Sequence, residues 1–239
     1  MQFDMQRTVA EIAATVPHAS KVFERLGIDY CCNGSRRLSD ACVEAGLAVE
    51  AVRGELAAEQ AETAESFVDW TQQGAPELIE HLLTTHHPYT RDSLARLGGL
   101  MRKVLAAHGD AHPELEAIGS ALQALHDDLM PHLMKEEHIL FPYILTMARQ
   151  RSMGAPIGAA PFGTVRNPIQ MMNREHEGAG DILAELAART HNYTPPPDAC
   201  GSWSALYEGM RDLQADLHRH IHLETHVLFP LAVKLERGE

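Results

Sequence analysis

His132-Leu-Met-Lys-Glu136-Glu-His138-Ile-Leu-Phe141-Pro142 returns 88 positions later (132 to 220, 136 to 224) as His220-Ile-His-Leu-Glu224-Thr-His226-Val-Leu-Phe229-Pro230. Four residues of α-helix turn through roughly 400°. His132 and Glu136, like His220 and Glu224, therefore project from one face about a turn apart. Each copy is a chelating pair on a helix.

The surrounding apolar pattern decides where the pairs point. Ile118, Leu122, Leu125 and Leu129 lead into His132 and Glu136, and the stripe is expected to continue through Ile139 to Tyr143. Leu206, Met210, Leu213 and Leu217 lead into His220 and Glu224 in the same phase, with Val227 and Leu231 following. All four residues thus lie on a core stripe. A carboxylate is rarely buried without a compensating charge, because desolvation costs several kcal/mol or neutralises it. A bound cation supplies that charge. The plain alternative is two buried His/Glu hydrogen bonds in an ordinary bundle, and duplication at matching phase argues against it.

Composition narrows the setting. A chain of 239 residues holds one substantial core and a small extra module. No stretch reads as a membrane span, and Met1-Gln-Phe-Asp-Met lacks the pattern of a signal peptide, so a cytoplasmic location is the default expectation. A net charge of -13 argues against a nucleic-acid partner. Fifteen histidines stand against five tyrosines and two tryptophans, and imidazole is a common ligand for iron, zinc and copper.

Strand signals are nearly absent, so an all-α chain is expected. Residues 8 to 59 read as three or four short helices, with Pro17 opening one, Gly27 stopping it and Gly46 separating the next two. The organisation expected is a small helical domain over 1–60, a linker over 61–75 and a four-helix bundle over 76–239. Its four segments run roughly 76 to 107, 113 to 149, 168 to 190 and 201 to 236. A Gly- and Pro-rich connection lies at 150 to 168, and Thr194-Pro-Pro-Pro197 marks the last turn.

Two His/Glu pairs offer only four donor groups, so the first and third helices must contribute. The first has His81, His86 and His87; its stripe of Ile79, Leu83, Thr90, Leu94, Leu97 and Met101 selects His87 and turns His86 about 100° away. On the third, His176 shares a stripe with Met172, Ala179, Leu183 and Leu186. A lone histidine on an apolar face is often a satisfied core residue. Here His87 and His176 are 89 positions apart, close to the offset of the two phrases, which points to a duplicated helix pair. Pro88 and Pro131 adjoin His87 and His132, where either can kink its helix and re-aim a ligand. His138, His222 and His226 fall off the stripe and are expected at the surface.

Four histidines and two glutamates suit two metal ions, and nitrogen and oxygen donors without thiolate favour iron or manganese. Ferritin-like sites use Glu-x-x-His with extra glutamates. The His-x-x-x-Glu order here instead resembles hemerythrin. With Asp29-Tyr30-Cys31-Cys32-Asn33-Gly34 ahead of the bundle and Thr194-Pro-Pro-Pro-Asp-Ala-Cys200 before its last helix, the chain closely resembles the iron-sulfur cluster repair di-iron proteins over nearly its whole length. Asn33 departs from the glycine often found there, but asparagine also tolerates a left-handed turn.

The resemblance implies a hemerythrin-like four-helix bundle with a small N-terminal helical domain. It also implies that His87, His132, Glu136, His176, His220 and Glu224 bind two non-haem iron ions, bridged by the glutamates and an oxo or hydroxo group. The implied role is repair of iron-sulfur clusters damaged by nitric oxide or oxidants, through iron delivery, nitric oxide reductase activity, or both. Partners would be nitric oxide, oxygen, damaged iron-sulfur proteins and an unidentified electron donor; a homodimer stays open. A non-catalytic oxygen, nitric oxide or iron sensor or carrier is the competing class, and the Cys-Cys module argues against it. Cys31 and Cys32 are candidates for redox or iron handoff, the bland alternative being a small apolar pair that packs the module. Cys42 and Cys200 read as structural. Asp128, one turn before His132, and Glu175, beside His176, are candidates for supporting or proton- and iron-path groups, against the bland reading of solvated helix carboxylates.

Overall fold

The computed structural model describes residues 6–62, 67–158 and 160–238. Among these residues every extended element is helical, and strand-like pairing is confined to single bridges at Thr8–Arg37 and Ala160–Gly163. The helices are α1 (Val9–Thr15), α2 (Ala19–Leu26), α3 (Leu38–Glu44), α4 (Val49–Glu62), α5 (Ala75–His81), α6 (His87–His108), α7 (Glu114–Lys135), α8 (Phe141–Ser152), α9 (Arg166–Arg189), α10 (Gly201–Leu223) and α11 (Phe229–Arg237). Of the linker expected over 61–75, residues 63–66 lie outside the described residues. Beyond them Asp69 caps a short 3-10 turn at Trp70–Gln72.

The described residues form two compact units. The first draws on Met1–Ile79, Met147–Ile157 and His218–Glu239; the second on Glu80–Thr146 and Gly158–Leu217.

In the second unit α6, α7, α9 and the leading part of α10 make a four-helix bundle around one apolar core. Leu97 and Met101 meet Ile118 and Leu125, with Leu183 and Leu213 from the other two helices. These positions recur at helical spacing, and burying each such side chain contributes about 1.5–3 kcal/mol. At the base of the core, the Trp203 ring packs edge-on against Tyr207.

In the first unit the short helices rely on their ends. Thr8 accepts from the Glu11 backbone N–H while the Glu11 carboxylate accepts from that of Thr8, a reciprocal cap on α1. Gly27 closes α2 at φ 67°, in the left-handed region that favours glycine. Ile12, Phe23, Leu38 and Leu56 fill the core between these helices.

Among the described residues three wide π-turns break the α-helical ladder, at Leu82–His86, Glu136–Leu140 and Glu224–Leu228. Each ends on a backbone bond reaching five residues back: His87 to Leu82, Phe141 to Glu136 and Phe229 to Glu224. The next residue in each case is proline: Pro88, Pro142 and Pro230. A proline has no N–H, and its ring collides with the carbonyl four residues back in a regular helix; the wider turn relieves that collision. His87 accordingly keeps helical dihedrals of φ -61° and ψ -48°. Pro131 stands inside α7 without such a turn.

The extra residue in each π-turn also corrects the expected stripe. Beyond Glu136 the buried face passes to Leu140, Phe141 and Ile144, and Ile139 is 50% exposed. Tyr143 is half-buried. In the second copy Val227 remains buried, but Leu228, Phe229 and Ala232 carry the core and Leu231 is only half-buried.

Candidate metal centre

The second unit brings four of the expected ligands together. His87 stands at the end of the first π-turn, His132 in the last turn of α7, Glu136 at the start of the second π-turn and His176 mid-way along α9. All four are buried. His132 Nε2 lies 3.2 Å from Glu136 Oε1 and 3.2 Å from His176 Nε2. His87 Nε2 lies 3.6 Å from the other oxygen of Glu136. Ligand atoms of His132, Glu136 and His176 fall within 4.8 Å of one another, a grouping suited to one cation.

The chemistry of this cluster fits a cation. Glu136 is fully buried, and neither of its oxygens takes part in a hydrogen bond. An uncompensated buried carboxylate is expensive, and the imidazole nitrogens beside it are themselves donors to metals. A divalent ion would compensate the carboxylate and use the inward nitrogen lone pairs.

The outer edges of the imidazoles are held as metal-binding histidines require. His132 Nδ1 pairs with Glu175 at 2.8 Å, and Lys135 holds the other oxygen of that carboxylate. His87 Nδ1 pairs with Glu137 at 2.8 Å, and Arg91 reaches the same carboxylate at 2.8 Å. With Nδ1–H donating outward, Nε2 turns its lone pair inward. Partial burial works against ionisation of both carboxylates, yet hydrogen bonds outweigh it. Those from His87 and Arg91 hold Glu137 below the usual carboxylate range, and those from Lys135 and His132 do so for Glu175.

His220 and Glu224 belong to the first unit. Both are buried, with His220 Nε2 3.1 Å from Glu224 Oε1, the same intra-helical relation as His132 and Glu136.

The Cys-Cys turn has a specific scaffold. Asp29 Oδ1 accepts from the backbone N–H of Cys31 and of Cys32, both at 3.0 Å, and Oδ2 accepts from the Asn33 backbone and side chain. Burial opposes the charge on Asp29, but the bonds from Asn33 and Cys32 keep its carboxyl below the usual range. The sulfurs of Cys31 and Cys32 are 3.7 Å apart as free thiols. Contact with Cys32 and burial raise the Cys31 thiol well above its ordinary pKa. Cys42 is buried in the first unit's core, and Cys200 packs partly buried against the bundle core.

Several side chains stand elsewhere than expected. His86, expected to turn away, is buried with Nδ1 3.1 Å from both oxygens of Asp216; as the last residue of its π-turn it stands inside together with His87. His222 is buried and His226 half-buried, because both meet backbone carbonyls of the N-terminal module. His138 is exposed, in keeping with its position off the stripe. Asp128 and Glu177 are exposed on α7 and α9. Glu137, Lys135 and Arg91 carry no pattern in the sequence that marks them as supports. The four-residue spacing of His218, His222 and His226, by contrast, is a visible signal.

Fold and site define a hemerythrin-type cation-binding bundle: residues 78–232 match the hemerythrin HHE cation binding domain, and residues 5–60 match ScdA_N, a domain of unknown function (DUF542). Proteins named iron-sulfur cluster repair protein YtfE in Citrobacter koseri, Shigella boydii serotype 4 and Escherichia coli O157:H7 are each 36% identical over 225 residues, covering 94% of this chain and 96% of theirs. The chain belongs to this family of iron-sulfur cluster repair proteins. No helix among the described residues is long and apolar enough to cross a membrane.

Proposed function

We propose that the chain binds two non-haem iron ions, with the oxo or hydroxo bridge that the resemblance implies, through His87, His132, Glu136, His176, His220 and Glu224. We propose further that it uses them to restore iron-sulfur clusters damaged by nitrosative or oxidative stress. The observation that carries the metal reading is Glu136, fully buried beside His87 and His132 with neither oxygen hydrogen-bonded. The unbroken family match over residues 78–232 supports counting all six ligands as one set. The names of the relatives support the repair role.

Bound iron would supply ferrous–ferric electron transfer and an exchangeable cation, which suit reduction of nitric oxide to nitrous oxide and delivery of iron to a damaged cluster. The chain's own residues prepare the site. Glu137 and Glu175 keep the Nδ1 protons of His87 and His132 outward and raise the basicity of the inward nitrogens. Lys135 and Arg91 hold those carboxylates ionised. Asp128, exposed one turn before His132, is assigned the solvent end of an iron or proton path. Cys31 and Cys32 are assigned thiol redox or iron handoff to a damaged client protein.

The test is iron content and nitric oxide turnover on one anaerobic, ferrous-loaded sample kept supplied with a chemical reductant, because joining two nitric oxide molecules into nitrous oxide and water takes two electrons and two protons each time. About two iron atoms per chain with repeated nitrous oxide formation supports the redox branch. Full iron that transfers to a damaged cluster enzyme without turnover supports the donor branch. A stable nitrosyl with neither outcome makes the protein a sensor or carrier. Wild-type repair by a Cys31→Ala/Cys32→Ala protein with full iron removes the handoff role.

A further inference from the structure

The stretch of α10 and its π-turn that bears His220 and Glu224 carries a second histidine series two residues out of step. His218, His222 and His226 follow one another at spacings of four, and all three reach the N-terminal module. His226 Nε2 donates to the Cys31 carbonyl at 2.7 Å, and His222 Nδ1 donates to the Tyr30 carbonyl at 3.2 Å. His218 Nδ1 binds Glu24 Oε1 at 2.7 Å, the same oxygen that accepts the Tyr30 hydroxyl at 3.0 Å. The Tyr30 ring lies edge-on to the rings of His218 and His222, and the His222 and His226 rings are 5.4 Å apart.

The cysteine turn is shaped to receive this ladder. A Cβ on Gly34 would strike the Tyr30 carbonyl and come within 2.8 Å of His226 Nε2, so glycine permits the close approach. Gly34 also anchors the turn, its carbonyl accepting from the Ala10 N–H at 2.8 Å. On the other side Asp29 holds the N–H groups of Cys31 and Cys32. The histidines thus hold carbonyls of the same short turn whose N–H groups Asp29 holds. Residues two apart on a helix point about 200° from each other, so the ligand pair and the ladder use opposite sides of one segment.

We propose that His222 and His226, supported by His218, are positioning residues that link the Cys31–Cys32 turn to the ligand-bearing segment, so that metal held by His220 and Glu224 lowers the reactivity of the dithiol. The inference rests on the assignment of His220 and Glu224 as metal ligands. A ligand fixed by metal stiffens its helical segment; the ladder transmits that to the Tyr30 and Cys31 carbonyls and so to the two sulfurs. Emptying the site loosens the turn and exposes the thiols, which ties thiol chemistry to the presence of iron.

The test is the rate of iodoacetamide alkylation at Cys31 and Cys32, read by mass spectrometry under anaerobic conditions in the full chain with and without ferrous ion. Metal should slow wild-type alkylation roughly two- to tenfold, the range that the net contribution of one hydrogen bond allows. In His226→Ala the metal-free rate should rise by a similar factor, and metal should no longer change it although iron is retained. His226→Gln, whose amide N–H can reach the same carbonyl, should restore the wild-type response and guards against a folding failure of the alanine variant. Equal protection by metal in wild type and His226→Ala would overturn the proposal, because the metal would then be protecting the sulfurs directly. Iron-loaded wild type that alkylates like the metal-free protein overturns it as well. Failure of the ligand assignment shows separately, as unchanged iron content in His220→Ala.

Discussion

The two copies of the repeated phrase, 132–142 and 220–230, share their His-x-x-x-Glu spacing, their π-turn and their closing proline, and differ on the face away from that pair. In the first copy that face meets solvent: His138 and Ile139 are exposed. In the second, His222 and His226 are drawn against the Tyr30 and Cys31 carbonyls. The shared features set a buried histidine and a buried glutamate about 3 Å apart in each copy. The difference is that the second copy's outer face takes up the cysteine module, with histidine at both contact positions.

The largest expected effect lies at the supports of the first copy. Glu175→Gln weakens the hold on His132 Nδ1 and leaves Lys135 without its ion pair, so metal affinity should fall about 10- to 100-fold in a chelator competition, the range for loss of such an outer partner. An unchanged affinity would separate Glu175 from the metal site. Next in size is a contrast in stability between the two outer faces. His222→Ala leaves the buried Tyr30 carbonyl without its imidazole donor and should cost about 1–3 kcal/mol in urea unfolding of metal-free protein. His138→Ala, at the counterpart of His226 in the exposed copy, should stay within about 0.5 kcal/mol. Equal effects would mean that the two outer faces do not differ in what they hold.

The smallest effect concerns the turn that the second copy clasps. The Asp29 carboxyl is depressed in the folded protein, so its contribution is fully present above the ordinary carboxylate pKa of about 3.9 and fades as pH falls through the folded value. Asp29→Asn should therefore lower stability at pH 6 and reduce the further loss seen on acidification to pH 3. A variant whose pH profile is parallel to wild type between those values would remove Asp29 as the cap of the turn.

Much of the arrangement was legible because it follows the helix period. The four bundle segments end within a few residues of Ala75–His108, Glu114–Ser152, Arg166–Arg189 and Gly201–Arg237, and the stripes through Leu125 and Leu213 are buried. His87, His132, Glu136 and His176 converge as the stripe and the duplication implied. Legibility failed where the period changed. Reading one regular helix through Glu136 placed Ile139 inside and His86 outside, and both are reversed because a π-turn adds a residue before Pro142 and Pro88. The three His-Pro or Phe-Pro pairs were the available signal. His222 and His226 were misplaced for another reason: an exposed-looking helix face does not reveal that the module around Cys31 covers it, since that contact joins residues nearly 200 apart in sequence.

If both copies supply ligands to one two-iron set, neither copy is dispensable for iron loading. Iron per chain, measured after anaerobic ferrous loading and desalting, tests it most directly in wild type, His132→Ala, His220→Ala and His138→Ala side by side. The account predicts about two iron atoms in wild type and His138→Ala, and a clear loss in both His132→Ala and His220→Ala. Full iron in either of the last two would contradict it.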